Sequence, residues 1–432
     1  MTALPGAIPS AIWQNDFTAD NLIDYANASR QLSSYIRVLC QEGFRHLVVP
    51  SRGSVPFIRA AESAWNLELR ALPTYQERYQ QNMELIGSPF MQELVLPFSA
   101  DPNDATQTTA AIRRYWSRVL AAIVKRDGKD PYLGFYKVLV ERLAKRSWLS
   151  ALPRDLPQEK FIFIDTVVSG RAICEIIDAF QEVGLAHCYF ILIADGNGNE
   201  IAPKYKRVID DLVSRDRCTI ICVKRLFTED RGPAVSGVWS TVYPQMLNAV
   251  RNKYAWAKDA YGAGTFYHQV SSSQVEPVEG IGNSEYNMPV TRMYASISTG
   301  IFTALHSLHE MDVVEAKLAS TVGRNTAGFD SLVAKHRSEI EVSLRRQLDY
   351  QLFRFHKTIE ELKPYTPLDK LTTKLLSSPR VLQAHATAIV DVSSSHLVRV
   401  TFKDNEVADF MREVDCELKL GKDVLADWFR NR

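Results

Sequence analysis

One stretch, Lys160 to Phe180 (KFIFIDTVVSGRAICEIIDAF), narrows the folds open to this chain more than any other. KFIFID is a near-continuous apolar run, the pattern of a strand buried on both faces of a parallel sheet. TVVSGR is a tight turn, and AICEIIDAFQEVG has the apolar spacing of an amphipathic helix closed by Gly184. The rhythm then repeats. HCYFILIAD reads as a second apolar strand, GNGN as a turn, KYKRVIDDLVSR as a helix and CTIICVKR as a third strand. Strand and helix in alternation predict an α/β fold with a doubly wound, mainly parallel sheet. Ligands of such sheets sit at the carboxyl ends of the strands.

The same reading extends upstream. Residues 19 to 42 carry helical spacing, with Gly43 as the stop. FRHLVVP is a short buried strand that ends in SRGS, and VPFIRAAESAWN resumes a helix. MQELVLPF reads as a further strand. Two convincing helices, DATQTTAAIRRYWSRVLAAIVKR and PYLGFYKVLVERLAKRSWL, suggest that about 91–155 forms a helical hood inserted into the α/β unit. Residues 262 to 290 are rich in Gly, Ser and Pro and read as a boundary. Beyond it, 291 to 363 is helical in pattern, with DSLVAKHRSEIEVSLRRQLDYQLFRFHKTIEEL as one long charged helix, and the end reads as a strand pair and one or two helices. The expected organisation is an α/β domain over 1–260 and a mainly α-helical region over 291–432.

Composition sets limits. The chain has 432 residues, 46% of them hydrophobic, enough for a sizeable core without staples. A net charge of +1 gives no reason to expect a nucleic-acid-coating surface. No apolar run approaches the roughly 20 residues of a membrane helix. The first residues lack the pattern of a secretory signal. Cys40, Cys174, Cys188, Cys218, Cys222 and Cys416 show neither a disulfide framework nor zinc-ligand spacing. The expectation is a cytoplasmic protein with reduced thiols.

The chemistry points to the turn after KFIFID. A buried strand delivers Asp165 to its carboxyl end, and the backbone N–H groups of Val168, Ser169, Gly170, Arg171 and Ala172 can converge where a helix begins. The helix N-terminus favours an anion. Ser169 adds a hydroxyl, Gly170 allows close approach of the backbone, and Asp165 stands about one sugar length away to accept hydrogen bonds from ribose hydroxyls. This is a cradle for a monophosphate on a ribose.

The segment FIFIDTVVSGRA resembles the phosphoribosyl pyrophosphate (PRPP) loop of type I phosphoribosyltransferases, in which two adjacent acids end a strand and a small Ser/Thr- and Gly-containing turn follows. On that resemblance Asp165 is the second acid and 168–172 hold the 5-phosphate. Ile164 replaces the first acid, and Val168 stands where some members place an Asp. A second segment agrees: Ser51, Arg52, Gly53 and Ser54 fit the family's short turn that binds pyrophosphate, with Arg52 as a permanent cation. The resemblance covers about residues 40–240. It implies a phosphoribosyltransferase-type sheet, an enzyme that makes or breaks the bond at ribose C1 with Asp165 and Arg52 at the reacting centre, and Mg²⁺ carried with PRPP. It also implies a closing loop, placed here within 73–90 around Tyr75, Arg78 and Tyr79.

The rival readings are a non-catalytic module that senses PRPP or a nucleotide and signals to the C-terminal helices, which Ile164 favours, and a toxin-like effector of a bacterial antiphage system, which rests on architecture alone. The C-terminal helices offer a surface for a second copy or a partner protein. No membrane partner is expected. His306 and His309 share a helical face without further ligands, Cys218 and Cys222 read as core, and Trp239 reads as core or as a ring-stacking residue. Phe353 to His356 read as a solvated or subunit-facing surface.

Overall fold

The computed structural model describes residues 18–50, 54–70, 90–96, 98, 106–138, 148–185, 187–226, 283–362, 389–392, 398–401 and 423–430. The first helix, α1 (Ala19–Gln41), starts at a capping box in which Thr18 and Asn21 satisfy each other. It stops where Gly43 takes a φ of +95°. There follow β1 (His46–Val49), α2 (Val55–Arg70), β2 (Gln92–Val95), α3 (Thr106–Lys125), α4 (Pro131–Val138) and α5 (Trp148–Ala151). The motif unit supplies β3 (Ile162–Val167), α6 (Arg171–Glu182), β4 (Tyr189–Ala194), α7 (Pro203–Ser214) and β5 (Cys218–Cys222). Two long helices, α8 (Asn283–Thr321) and α9 (Phe329–Leu362), an antiparallel pair, β6 (Ile389–Val392) and β7 (Val398–Thr401), and α10 (Val424–Arg430) complete the order.

The five strands β1 to β5 form one all-parallel sheet in the order β2-β1-β3-β4-β5. Strand alternation sends side chains to two cores, one on each face. Phe161, Phe163 and Val167 join Phe190 and Leu192 against α3, α6 and α7. Ile162 and Ile164 join Leu47, Val49, Ile191 and Ile193 against α1, α2, α8 and α9. Helices therefore cover both faces, as the unbroken apolar strands predict. On the α6 face, Phe180 packs edge-on against Phe98, Phe161 and Phe163 at centroid separations of 5.8, 6.0 and 5.3 Å.

Four expectations need correction. The segment 91–155 is not wholly a helical hood: it opens with β2, an edge strand of the main sheet, paired in register with β1 from His46↔Gln92 to Val49↔Val95. Its helix α3 is no lid but part of the main core, burying Trp116, Val119, Leu120 and Ile123. Glycine, serine and proline marked 262–290 as a boundary, yet α8 already begins at Asn283, inside that range. Cys222, the last residue of the edge strand β5, is exposed where core packing was expected. Among the described residues the C-terminal region is helical with one small strand pair, and no helix is long and apolar enough to cross a membrane. The segment 73–89 and Trp239 lie outside the described residues.

Candidate functional site

The sheet order reverses direction between β1 and β3. From β1 the chain steps outward to β2, and from β3 it steps the other way to β4 and β5. The crevice at the carboxyl ends of two such strands is where ligands of open α/β sheets bind. Both segments singled out in the sequence follow these two strands. β1 ends at Val49, and β3 lies beside it with Leu47↔Ile162 and Val48↔Phe163 in register. Ser51, Arg52 and Gly53 lie outside the described residues. Ser54, at the start of α2, is fully buried.

β3 does not stop at Asp165. It continues through Val167, paired with Ala194, so the turn is only Val168, Ser169 and Gly170. Asp165 is 6% exposed, on the same face as Phe163 and Val167, and its Oδ1 accepts the Thr166 backbone N–H at 2.8 Å. Ile164 points the opposite way and is fully buried among Ile162, Ile191 and Ile193. A carboxylate at 164 would enter that apolar layer unpaired and at a desolvation cost.

Gly170 is the N-cap of α6, with φ 83° and ψ −7°. Having no side chain, it offers no capping oxygen to the first-turn N–H groups of α6. The glycine has a second reason to be there. A Cβ at this position would stand 3.0 Å from Tyr205 Cβ and 3.1 Å from Ile201 Cγ2, so close approach of the α7 segment, as well as of a ligand, demands it. The Ser169 carbonyl accepts the Ala202 N–H at 3.1 Å, which fixes the turn to the same segment. The Ser169 side chain is exposed and Val168 half-buried.

A residue absent from the sequence reading completes the picture. Arg113 of α3 is buried at 3% exposure, and its Nη1 pairs with Glu175, one turn into α6. Arg171 Nε lies 3.7 Å from the other oxygen of the same carboxylate. Burial pushes the Arg113 pKa down to about 10, the Arg171 charge acts in the same direction, and the Asp165 carboxylate opposes both. The signal was present in the sequence: Arg113 precedes Trp116, Ser117 and Leu120 at helical spacing, so it is a charge on the apolar stripe of α3.

At the end of β4, Asp195 anchors the turn that follows. Its Oδ1 accepts the N–H groups of Gly196 at 2.9 Å and Leu226 at 2.7 Å, tying the turn after β4 to the chain beyond β5. Gly196 and Asn197 both take left-handed conformations there. Among the described residues no group of three His, Cys, Asp or Glu side chains could hold a metal, which includes His306 and His309. At the opposite, amino end of the sheet, a cleft of about 900 Å³ is lined by Arg45, His46, Gln92, Arg126 and Lys160. Its cations serve the fold: Arg126 donates to the carbonyls of Ile123, Leu156 and Pro157, Arg45 to those of Cys40 and Phe44, and Lys160 to that of Glu42.

Comparison of the chain with family models, with curated proteins and with solved structures found no match.

Proposed function

We propose that the crevice between β1 and β3 binds a ribose 5-phosphate group, as part of PRPP or of a nucleotide, and that the fold is of the phosphoribosyltransferase type. The observation that carries this reading is the conjunction at one switch point. An uncapped helix N-terminus at Gly170 and a buried acid at Asp165 stand beside the strand that leads into Ser51, Arg52 and Gly53. In this reading the N–H groups of 168–172 and the Ser169 hydroxyl hold the 5-phosphate, and Asp165 accepts from the ribose hydroxyls. Arg52 and Gly53 hold pyrophosphate, and Ser51 and Ser54 flank that turn. Mg²⁺ arrives with PRPP, bound through the ligand's own oxygens and water, so a cage of protein carboxylates is not required. The reaction is breaking or making the bond at ribose C1 through a cation-like transition state, with the protein positioning the sugar and screening the leaving pyrophosphate.

One observation favours a second reading. Ile164 is locked into the apolar core where the resembling family has an acid, so the site keeps its phosphate-binding parts better than its catalytic ones. A sensor that binds PRPP without turnover fits that balance, with α8 and α9 as its output through their contact with α1 and α2.

Calorimetry of PRPP with Mg²⁺ on the wild-type chain and on Ser169→Asp tests the site. Binding in the wild type, lost when a negative charge enters the cradle, is the expected result. Wild-type affinity in Ser169→Asp removes the assignment. Release of pyrophosphate from the bound complex then separates the enzyme from the sensor.

A further inference from the structure

The inner face of α9 buries Leu344, Leu348 and Phe355 in the core it shares with α1, α2 and α8. At 100° per residue, Val342, Tyr350 and Phe353 fall on the outer side of the helix. They are 51%, 59% and 63% exposed, and the last two are the most exposed large hydrophobic side chains among the described residues. Two charges stand in the same stripe. Arg346 and Asp349 lie between Val342 and Phe353, and the steps of four, three and four residues are those of a helix seam. Among the described residues neither side chain has an ion-pair or hydrogen-bond partner. Neighbouring charges are engaged by contrast, Arg345 with Asp20 and Glu341, and Arg337 with Glu315.

Read along the helix, the four positions run apolar, basic, acidic, apolar, an order complementary to its own reverse. We propose that this face is a homodimer interface. The outer face of α9 packs antiparallel on α9 of a second copy about a two-fold axis level with the peptide between Gln347 and Leu348. Val342 then meets the partner's Phe353, and Arg346 meets the partner's Asp349. In the same register Glu339 and the partner's Lys357, both exposed, lie at matching height on one rim. Other arrangements fail on charge. A parallel pair sets each arginine against its own copy and each aspartate against its own copy. An antiparallel pair shifted by one heptad sets Val342 on Arg346 and Glu339 on Asp349. The apolar pairs supply the attraction, because exposed ion pairs contribute little, and the charges fix direction and register. The stripe is complementary to itself, as an isologous interface requires, so the occupant is a second copy of this chain.

Sedimentation velocity of the full chain across a concentration series tests this, and the wild type is expected to dimerise. Arg346→Asp and Asp349→Arg, each alone, leave four like charges around the axis and should weaken the dimer about 10- to 100-fold. Both positions are exposed, so the variants should fold, which circular dichroism checks. Mixing the two single variants should restore association, because the acidic stripe of one chain then meets the basic stripe of the other. A segment of the same chain lying over α9 could not give that rescue. Arg346→Asp combined with Asp349→Arg in one chain should likewise restore the homodimer. On mild oxidation, Val342→Cys combined with Phe353→Cys should give a dimer whose tryptic digest joins those two positions. Phe353→Cys alone should not cross-link to its own copy, which lies about 16 Å further along the axis. A wild type that stays monomeric at every concentration overturns the inference. So does a dimer that neither single charge reversal weakens, which places the contact elsewhere. Single variants that are weakened but fail to pair with each other contradict the register and overturn it too.

Discussion

Replacing Gly170 by alanine separates two reasons for a glycine, because Gly43 supplies a control. Both residues have positive φ, +83° and +95°, but a Cβ at Gly43 meets nothing within 4 Å. Gly43→Ala therefore measures backbone strain alone, about 1–2 kcal/mol. Gly170→Ala carries the same strain and also pushes a methyl to 3.0 Å from Tyr205 Cβ and 3.1 Å from Ile201 Cγ2. Neither neighbour is the free end of a flexible chain, so the overpacking adds about 1–3 kcal/mol. The total, roughly 2–5 kcal/mol, is a large part of the stability of an ordinary domain. Urea denaturation followed by tryptophan fluorescence gives both values if the slopes stay equal. Gly170→Ala should exceed Gly43→Ala by at least about 1 kcal/mol. Equal losses would refute the close packing of the α6 entrance against the α7 segment, and with it the geometry of the turn.

Asp195→Ala should cost about 1–3 kcal/mol by stranding the buried Leu226 N–H and freeing the half-buried one of Gly196, and should speed hydrogen exchange at Leu226; an unchanged rate there would dismiss the anchor role. His46 is held neutral, since burial lowers its pKa despite the 2.8 Å contact of Nε2 with the Asp155 carbonyl. Its folded-state pKa lies below the unfolded value, so the unfolded chain takes up the proton first on acidification. The stability it contributes is present above about pH 6.5 and is lost as pH falls through that value towards the folded pKa. Denaturation midpoints between pH 8 and 5 should fall less steeply in His46→Gln than in wild type, and parallel curves would count against this account. Among the described cysteines, Cys222 is the exposed one and should be alkylated before Cys174, Cys188 and Cys218, an order that mass spectrometry reads directly.

The parallel sheet was legible because its strands are short, apolar and separated by helices with strong amphipathic spacing; Ile162 to Ile164 and Tyr189 to Ile193 leave little alternative. The extent of β3 was not, since Thr166 and Val167 are as compatible with a turn as with two more ladder positions, and only the pairing with Ile193 and Ala194 decides. Long-range assembly was also out of reach. β2 joins the sheet through backbone pairing with β1, which leaves no trace in the short sequence QELV. At the site, Asp165, Ser169 and Gly170 were readable from local order, whereas Arg113 comes from 52 residues before Asp165 on a helix that no motif covers. Its only sequence signal, a charge on an apolar stripe, is shared by many helices that simply let an arginine stem reach the surface.

Hydrogen exchange of the full chain, with and without PRPP and Mg²⁺, most directly tests whether the crevice between β1 and β3 is a phosphate site. The account predicts that a peptide spanning Asp165 to Cys174 slows on adding the ligand, because the N–H groups of 168–172 acquire an acceptor. Unchanged exchange there, or protection confined to the cleft around Arg126 and Lys160 at the amino ends of the strands, would contradict it.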